Sequence, residues 1–440
     1  MIRIAHFSDL HYGAKNLTEA DRCFGAAIDR AIGLGAQAAV LSGDATDHAL
    51  DLHAPAAHRL VSQVRRLADH CPVLMLQGTF SHEPPGTLSI FRHLGGRHAV
   101  FVADRIGQVG LTRAGQWVTS EAWRFDAVPA GLQALFSCLP TVNKADVAAA
   151  VGAGAAAQAI GEHLAALLSG FAPVNRAASA QGVPTVGVSH GTVFGCVTEH
   201  GVPMAGFDHE FTTAALFGAQ APAFLLGHIH RHQAWRANGA AGAQCIAYAG
   251  SIGRFHHGEE GEKGFLLWEV DAAGATCAVH ATPARRTIDI CFEGKPDLQV
   301  LQVAVDRQDI AGAFVRVRWT VAEEDRHEVD RASMARLLAG AAHAQLEGRI
   351  VPVVRTRAAG ISLLAGLDAK VRAWATATDA KVAPLLECLQ QLEESQPEEI
   401  AARILRAQEE AAAELPQPST CRALTRQGTG ALCVAGTIRL

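Results

Sequence analysis

Three short apolar runs, residues 2–7, 38–41 and 72–76, are separated by two longer stretches, 19–33 and 54–68, whose apolar residues recur at helical spacing. This β-α-β-α-β order is the strongest constraint in the chain. Strands alternating with helices build an α/β sheet with the helices packed on its faces. Each run stops at residues that can do chemistry: Asp9 and His11 after the first, Gly43-Asp44 after the second, Gly78 and then His82 after the third. The carboxyl ends of strands are where α/β sheets place their ligands. Two later runs end the same way: 185–188 leads to Ser189-His190, and 223–226 leads to Gly227-His228-Ile229-His230. Histidines two apart at a strand end point the same way, so both imidazoles of that tetrapeptide can reach one site.

At 440 residues the chain is long enough for two or three domains. With 49% hydrophobic and 18% charged residues it should be globular rather than disordered. A net charge of −5 gives no general drive toward nucleic acid, so any DNA-binding surface must be a local patch. The ten cysteines are scattered from Cys23 to Cys433 without a Cys-x-x-Cys pair, which fits reduced thiols in a cytoplasmic protein. The first residues lack the apolar run and cleavage site of a signal peptide. The Ala-rich stretch 145–171 is interrupted by Gln158, Glu162 and His163, so it reads as an ordinary helix rather than a membrane span. The expectation is a soluble, cytoplasmic protein with no membrane partner.

Further strands are expected at 100–102, 116–122, 245–249 and 264–270, with the Gly- and His-rich segment 250–262 as a loop. His232, His256 and His257 match no motif and read as loop histidines. A boundary is expected near Gly294-Lys295-Pro296, followed by a strand at 314–319 and helices at 331–338 and 368–377. Leu385, Leu386, Leu389 and Leu392 repeat at helical spacing, and Ser395-Gln396-Pro397-Glu398 has the spacing of a capping box opening one more helix.

Asp9, His11, Asp44, His190, His228 and His230 supply carboxylates and imidazoles, the donors needed to hold two divalent metals around a bridging carboxylate. Such a mixture suits manganese, iron or zinc better than calcium or magnesium. In this order, Asp9-Leu10-His11, Gly43-Asp44-Ala45-Thr46-Asp47, His82-Glu83, His190 and Gly227-His228-Ile229-His230 resemble the calcineurin-like metallophosphoesterase superfamily. The resemblance implies an α/β fold: a four-layer α/β/β/α sandwich, then a smaller α+β capping region and C-terminal helices. It implies that Asp9, His11, Asp44 and His230 hold one metal, and Asp44, His190 and His228 the other, with Asp44 bridging. Asp47 would support the shell, and His82 would position phosphate or protonate the leaving group. Where the family has Gly-Asn-His-Asp, this chain has Gly78-Thr79-Phe80-Ser81-His82-Glu83. With His82-Glu83 set against His-Asp, Ser81 stands in for the ligating asparagine. A hydroxyl is a poorer ligand than an amide carbonyl, so the second metal is expected to bind more weakly or through water.

The segment Tyr248-Ala249-Gly250-Ser251-Ile252-Gly253-Arg254, then Gly261-Glu262-Lys263-Gly264-Phe265, is similar to SbcD-type DNA exonucleases, as are His190-Gly191-Thr192-Val193 and Arg357-Ala358-Ala359-Gly360-Ile361-Ser362. That resemblance implies attack of a metal-bridging water on a DNA phosphodiester, in repair or recombination, with manganese as the leading cofactor and iron or zinc behind it. It implies DNA, a second copy and an SbcC-like coiled-coil ATPase as partners. The domains would be a nuclease domain at 1–285, a capping, DNA-selecting domain at 286–378, and C-terminal helices and tail at 379–440. Arg316, Arg318, Arg355 and Arg357, with Lys370 and Arg372, are candidate phosphate contacts. Residues 385–392 and 400–405 could offer an apolar helix face to the ATPase. Two other readings are a phosphoesterase for small molecules or phosphoproteins, and a catalytically weakened DNA-tethering subunit, which the missing asparagine motivates.

Overall fold

Along the first strand, β1 (Ile2–Phe7), side chains alternate between two apolar layers. Ile2 and Ile4 face one layer, while Ala5 and Phe7 face the other. The computed structural model in which this is seen describes residues 1–142, 153–198, 200–203, 211–239, 242–259, 261–352 and 360–413. Strands β2 (Ala38–Leu41), β3 (Val73–Leu76) and β4 (Val100–Ala103) extend β1 as a parallel sheet. Parallel neighbours need long crossovers. Two of these are the helices α1 (Leu17–Gly33) and α2 (Pro55–His70), the second opened by proline at its first turn, where a missing N–H costs nothing. Phe24 and Ile28 of α1 and Leu60 and Val64 of α2 pack on Phe7, Leu41 and Met75 of the sheet. Each such fully buried side chain contributes about 1.5–3 kcal/mol by leaving water.

A second sheet is built from β5 (Gly107–Thr112), β6 (Trp117–Thr119), β7 (Leu132–Leu139), β8 (Thr185–His190), β9 (Ala223–Gly227), β10 (Gln233–Gly239) and β11 (Gly242–Tyr248). Its order is β10-β11-β9-β8-β7-β5-β6. Val109, Phe136, Val188 and Leu225 meet Ile4, Val40 and Leu74 of the first sheet in one apolar layer. On the other face, Phe224, Leu226 and Ile246 pack against Leu164 and Leu168 of α3 (Ala153–Ala180) and Leu216 of α4 (Thr213–Gly218). The chain then returns to the first sheet: β12 (Gly264–Val270) pairs antiparallel with β1, and β13 (Ala275–Ala281) pairs with β12. The result is a mixed α/β sandwich of two facing sheets, with helices on their outer faces.

A third, all-parallel sheet follows, with β14 (Thr287–Glu293), β15 (Phe314–Ala322) and β16 (His343–Val351) in that order. Its core joins Ile288, Ile290, Val315, Val317 and Trp319 to Leu301 of α5 (Leu298–Gln308) and Met334 of α6 (Arg331–Leu337). The Asp297 side chain caps α5 by accepting from the backbone N–H of Gln299 (2.7 Å) and Val300 (3.1 Å). The expected break near Gly294 falls at the end of β14, while the third sheet starts at Thr287, next to the expected domain start at 286. Residues 1–351 form one compact unit and 352–440 a second. The described part of the second unit holds α7 (Leu367–Thr378), α8 (Val382–Glu394) and α9 (Pro397–Ala413). At the start of α9, the Glu399 carboxylate reaches back to the Gln396 N–H at 3.4 Å, one residue later than the expected capping register. Among the described residues no cysteine is in a disulfide, and no helix is long and apolar enough to cross a membrane.

Candidate metal centre

Strand ends, rather than strand interiors, carry the site, and the backbone there is bent. Asp9, His11, Asp44 and His228 all take positive φ, at 51°, 46°, 52° and 102°. Left-handed backbone costs an L-residue roughly 1–2 kcal/mol and persists only where the surroundings hold it. Here the holding bonds are visible. Asp9 N–H donates to Gly43 O at 3.1 Å and His11 N–H to Asp44 O at 3.0 Å. His228 N–H points between the two oxygens of the Asp9 carboxylate, 3.2 Å from each. Ser8 Oγ also donates to Asp9 Oδ2 at 2.6 Å. The glycines before two of these ligands answer to space. A Cβ on Gly43 would lie 2.3 Å from His190 Nδ1, and one on Gly227 would lie 2.3 Å from Ser42 O.

Three groups of possible ligand atoms result: Asp9, His11 and His230; Asp44, His190 and His228; and His11, Asp47 and His82. In the first, the Nε2 atoms of His11 and His230 are 2.9 Å apart, and His230 Nε2 is 3.9 Å from Asp9 Oδ1. In the second, His190 Nε2 is 3.3 Å from Asp44 Oδ2, and the His190 and His228 rings meet edge to face with centroids 5.2 Å apart. Asp47 sits behind His11, its Oδ1 3.5 Å from Nδ1. His82 Nδ1 donates to Asp47 O at 2.7 Å, which leaves Nε2 as the free edge of that ring.

The donor set suits a divalent cation. Behind the rings of His11 and His190, Nδ1 faces an oxygen, of Asp47 and of the Ser42 carbonyl (2.8 Å) respectively. Each ring is thereby turned so that Nε2 is the nitrogen left to face a metal, which would bind there in place of a proton. Two Nε2 atoms at 2.9 Å can share only one proton between them, but both can face one cation.

The charges agree. Burial disfavours a charge on His190, but the Asp44 carboxylate beside it outweighs this and pushes the imidazole up to about 10. Burial would raise Asp44, and His190 instead holds it below the usual carboxylate range. Burial lowers His11. His230 is raised, because Glu259 and Asp9 outweigh its burial. A cation binding here would displace protons, so its affinity falls as the pH falls.

Six of the seven residues expected from sequence to bind metal thus fall into two of these groups, with Asp9, His11 and His230 in one and Asp44, His190 and His228 in the other. His82 joins them through Asp47, its ring edge-on to His11 at 4.8 Å. Ser81 does not come with them. It is exposed, and Thr79 takes the place beside the second group. Thr79 N–H donates to Asp44 Oδ1 at 2.7 Å, and its hydroxyl lies 3.2 Å from both Asp44 Oδ2 and His190 Nε2. Glu83 turns away from the donors into the core, accepting the N–H groups of Ala45 and Gly78 at 2.6 Å each. Burial, with Asp44 nearby, pushes it up to about 7.

Of the candidate DNA contacts, Arg316 grips Asp289 through two 2.7 Å bonds, and Arg318 joins the same carboxylate at 3.3 Å. Arg355 and Arg357 lie outside the described residues. Lys370 and Arg372 lie on α7 in the second unit. Two of the histidines read as loop residues have packing roles. His256 lies parallel to His230 with centroids 6.3 Å apart, and His257 stacks on Phe314 of β15. Compared with protein-family models and with curated proteins, the sequence finds no match.

Proposed function

We propose that this protein is a two-metal phosphodiesterase of the calcineurin-like metallophosphoesterase type, acting on DNA in the manner of SbcD-type nucleases. On this reading, the helix-flanked sandwich is the four-layer α/β/β/α fold of that superfamily. The supporting observation is that four separated strand ends bring two three-residue carboxylate–imidazole groups together. Two divalent cations there, with manganese first and iron or zinc next, would activate a water between them and neutralise phosphoryl charge. The protein's own part is positional. Asp9, His11 and His230 would hold one ion and Asp44, His190 and His228 the other. Thr79 steadies the Asp44 carboxylate with its N–H. His82, fixed at Nδ1 by Asp47 O and packed edge-on to His11, is the residue that would hold a phosphate oxygen or deliver a proton to the leaving oxygen.

The test is degradation of linear double-stranded DNA by the purified chain with manganese. Asp44→Asn should lower cleavage by at least about 10³-fold while the circular dichroism spectrum stays unchanged. Undiminished cleavage by that variant would sink the mechanism. One observation favours a second reading, hydrolysis of small or protein phosphoesters: Arg316 and Arg318 are already paired with Asp289 rather than free for a DNA backbone. Turnover of a small phosphodiester with DNA left intact would select it. The DNA reading brings a second copy and a coiled-coil ATPase with it as partners.

A further inference from the structure

Behind His230 lies a buried ion pair that the reading above leaves unused. Glu259 and Lys263 are each 2% exposed and in direct contact. Removing two charges from water is costly, and apolar residues of similar size often serve stability as well or better. Core stability alone therefore does not account for a glutamate and a lysine here. Their contacts point elsewhere. Lys263 Nζ donates to the backbone oxygen of His230 and to Ser251 Oγ, both at 2.9 Å. The Glu259 carboxylate lies 3.8 Å from His230 Nδ1, a buried ring nitrogen with no hydrogen-bond partner. The same Glu259 Oε1 accepts from the N–H groups of Phe255 (3.0 Å) and His256 (2.8 Å). That fold of the loop sets Phe255 edge-on to His11 at 5.6 Å and to His230 at 6.4 Å, and lays His256 parallel to His230. One ion pair, four residues apart in sequence, thus bonds the backbone of a single candidate ligand and sets a carboxylate opposite its ring edge.

We infer that Glu259, anchored by Lys263, is a positioning residue for His230, fixing the ring so that Nε2 faces His11 and Asp9. The inference rests on the reading of Asp9, His11 and His230 as a cation site. An imidazole bound through Nε2 carries its proton on Nδ1, and a carboxylate at that edge fixes both tautomer and orientation. Asp47 stands in the same relation to His11, so both imidazoles of this group have a carboxylate behind them. The second group differs, since His190 rests on a backbone carbonyl. The pair therefore acts on one ion and not on the other.

The experiment is a manganese titration of the metal-free full chain, with free ion followed by electron paramagnetic resonance, alongside the visible spectrum of the cobalt-loaded protein. Two variants are compared, Glu259→Gln and the double Glu259→Gln/Lys263→Met. The double variant leaves no unpaired buried ammonium and carries the test if the single variant does not fold. The expected result is about a 10–100-fold loss of affinity for one ion only, with a changed cobalt spectrum for that ion and the other unaffected. Folded variants that bind both ions normally would overturn this inference alone. Failure of the unsubstituted chain to bind manganese would overturn the metal-centre reading, and this inference with it.

Discussion

Thr79 shows what a single residue decides and how it could have been read. Counting back from His82-Glu83 points to Ser81, which is exposed. Counting forward from the strand end points to Thr79, three residues after Leu76, as Asp44 comes three after Leu41. Position relative to the strand sets where a side chain lands, so the second count is the physical one. A hydroxyl is a weak neutral donor, and Thr79→Asn should tighten binding of the ion at Asp44, His190 and His228, about tenfold by calorimetric titration. Unchanged affinity would mean that Thr79 only steadies Asp44. The six metal-type residues were legible because each follows an apolar run. Glu259 and Lys263 were not, because their partner His230 is 33 residues from Lys263 and nothing local marks the pairing.

His6 sets a pH dependence at the same scale. It lies between the sheets with Nε2 2.8 Å from Ser42 Oγ, and it accepts from Trp268 Nε1 at 3.3 Å. Burial, helped by His232, pushes it down to about 3 from its ordinary 6.5. Between those values the unfolded chain takes up a proton that the folded chain refuses. Stability therefore rises with pH across this window and is lost on acidification, by about 1.4 kcal/mol for each unit of the gap. Urea melts at pH 4 and pH 7 should differ less for His6→Gln than for the unsubstituted protein. An equal difference in both would refute the assignment to His6.

At the scale of elements, close approach of backbones is the controlling feature. Gly227 ends β9 where a Cβ would strike Ser42 O and the Ser8 hydroxyl, at 2.3 and 2.4 Å. Gly227→Ala should cost about 1–3 kcal/mol and lower the Tm. Gly161, inside α3 with nothing within 4 Å of its Cβ position, should behave oppositely, Gly161→Ala gaining about 0.5–1 kcal/mol. Melting curves of the two variants check both signs. Strands with clean apolar runs, such as β1, β2 and β9, were readable directly. β10 was not: its sequence Gln-Ala-Trp-Arg-Ala-Asn-Gly has little strand character, and it is held by antiparallel pairing to β11. α5 was also hidden, because Val300, Val303 and Val305 are β-branched and favour strands, yet the Asp297 cap and the packing of Leu301 make it a helix.

For the whole molecule, metal binding and folding are linked. The candidate ligands come from β1, β2, β8, β9 and the turns after them, so the site exists only when both sheets have formed. An ion bound to the folded chain at 100 times its dissociation constant stabilises it by about 2.7 kcal/mol. Manganese should therefore raise the Tm of the unit formed by residues 1–351, and a chelator should reverse the rise. A scan indifferent to both would argue against an ion site spanning the two sheets. The sandwich was legible from alternating strands and helices. The third sheet was only half legible: its start at Thr287 adjoins the domain start at 286 that the resemblance implied, but the Gly-Lys-Pro break at Gly294 lies after its first strand.

The four positive-φ residues have a consequence for how this chain could change over time. At Asp9, His11, Asp44 and His228 the backbone takes a shape that glycine adopts without strain, but the side chains present there are the ones the proposed chemistry needs. Selection for robustness and selection for ligation thus pull in opposite directions at the same positions. His228, with φ of 102°, is the sharpest case. His228→Gly should leave the metal-free protein at least as heat-resistant as before while removing a ligand of the second ion. The most stable version of this fold and its metal-binding version would then be different sequences.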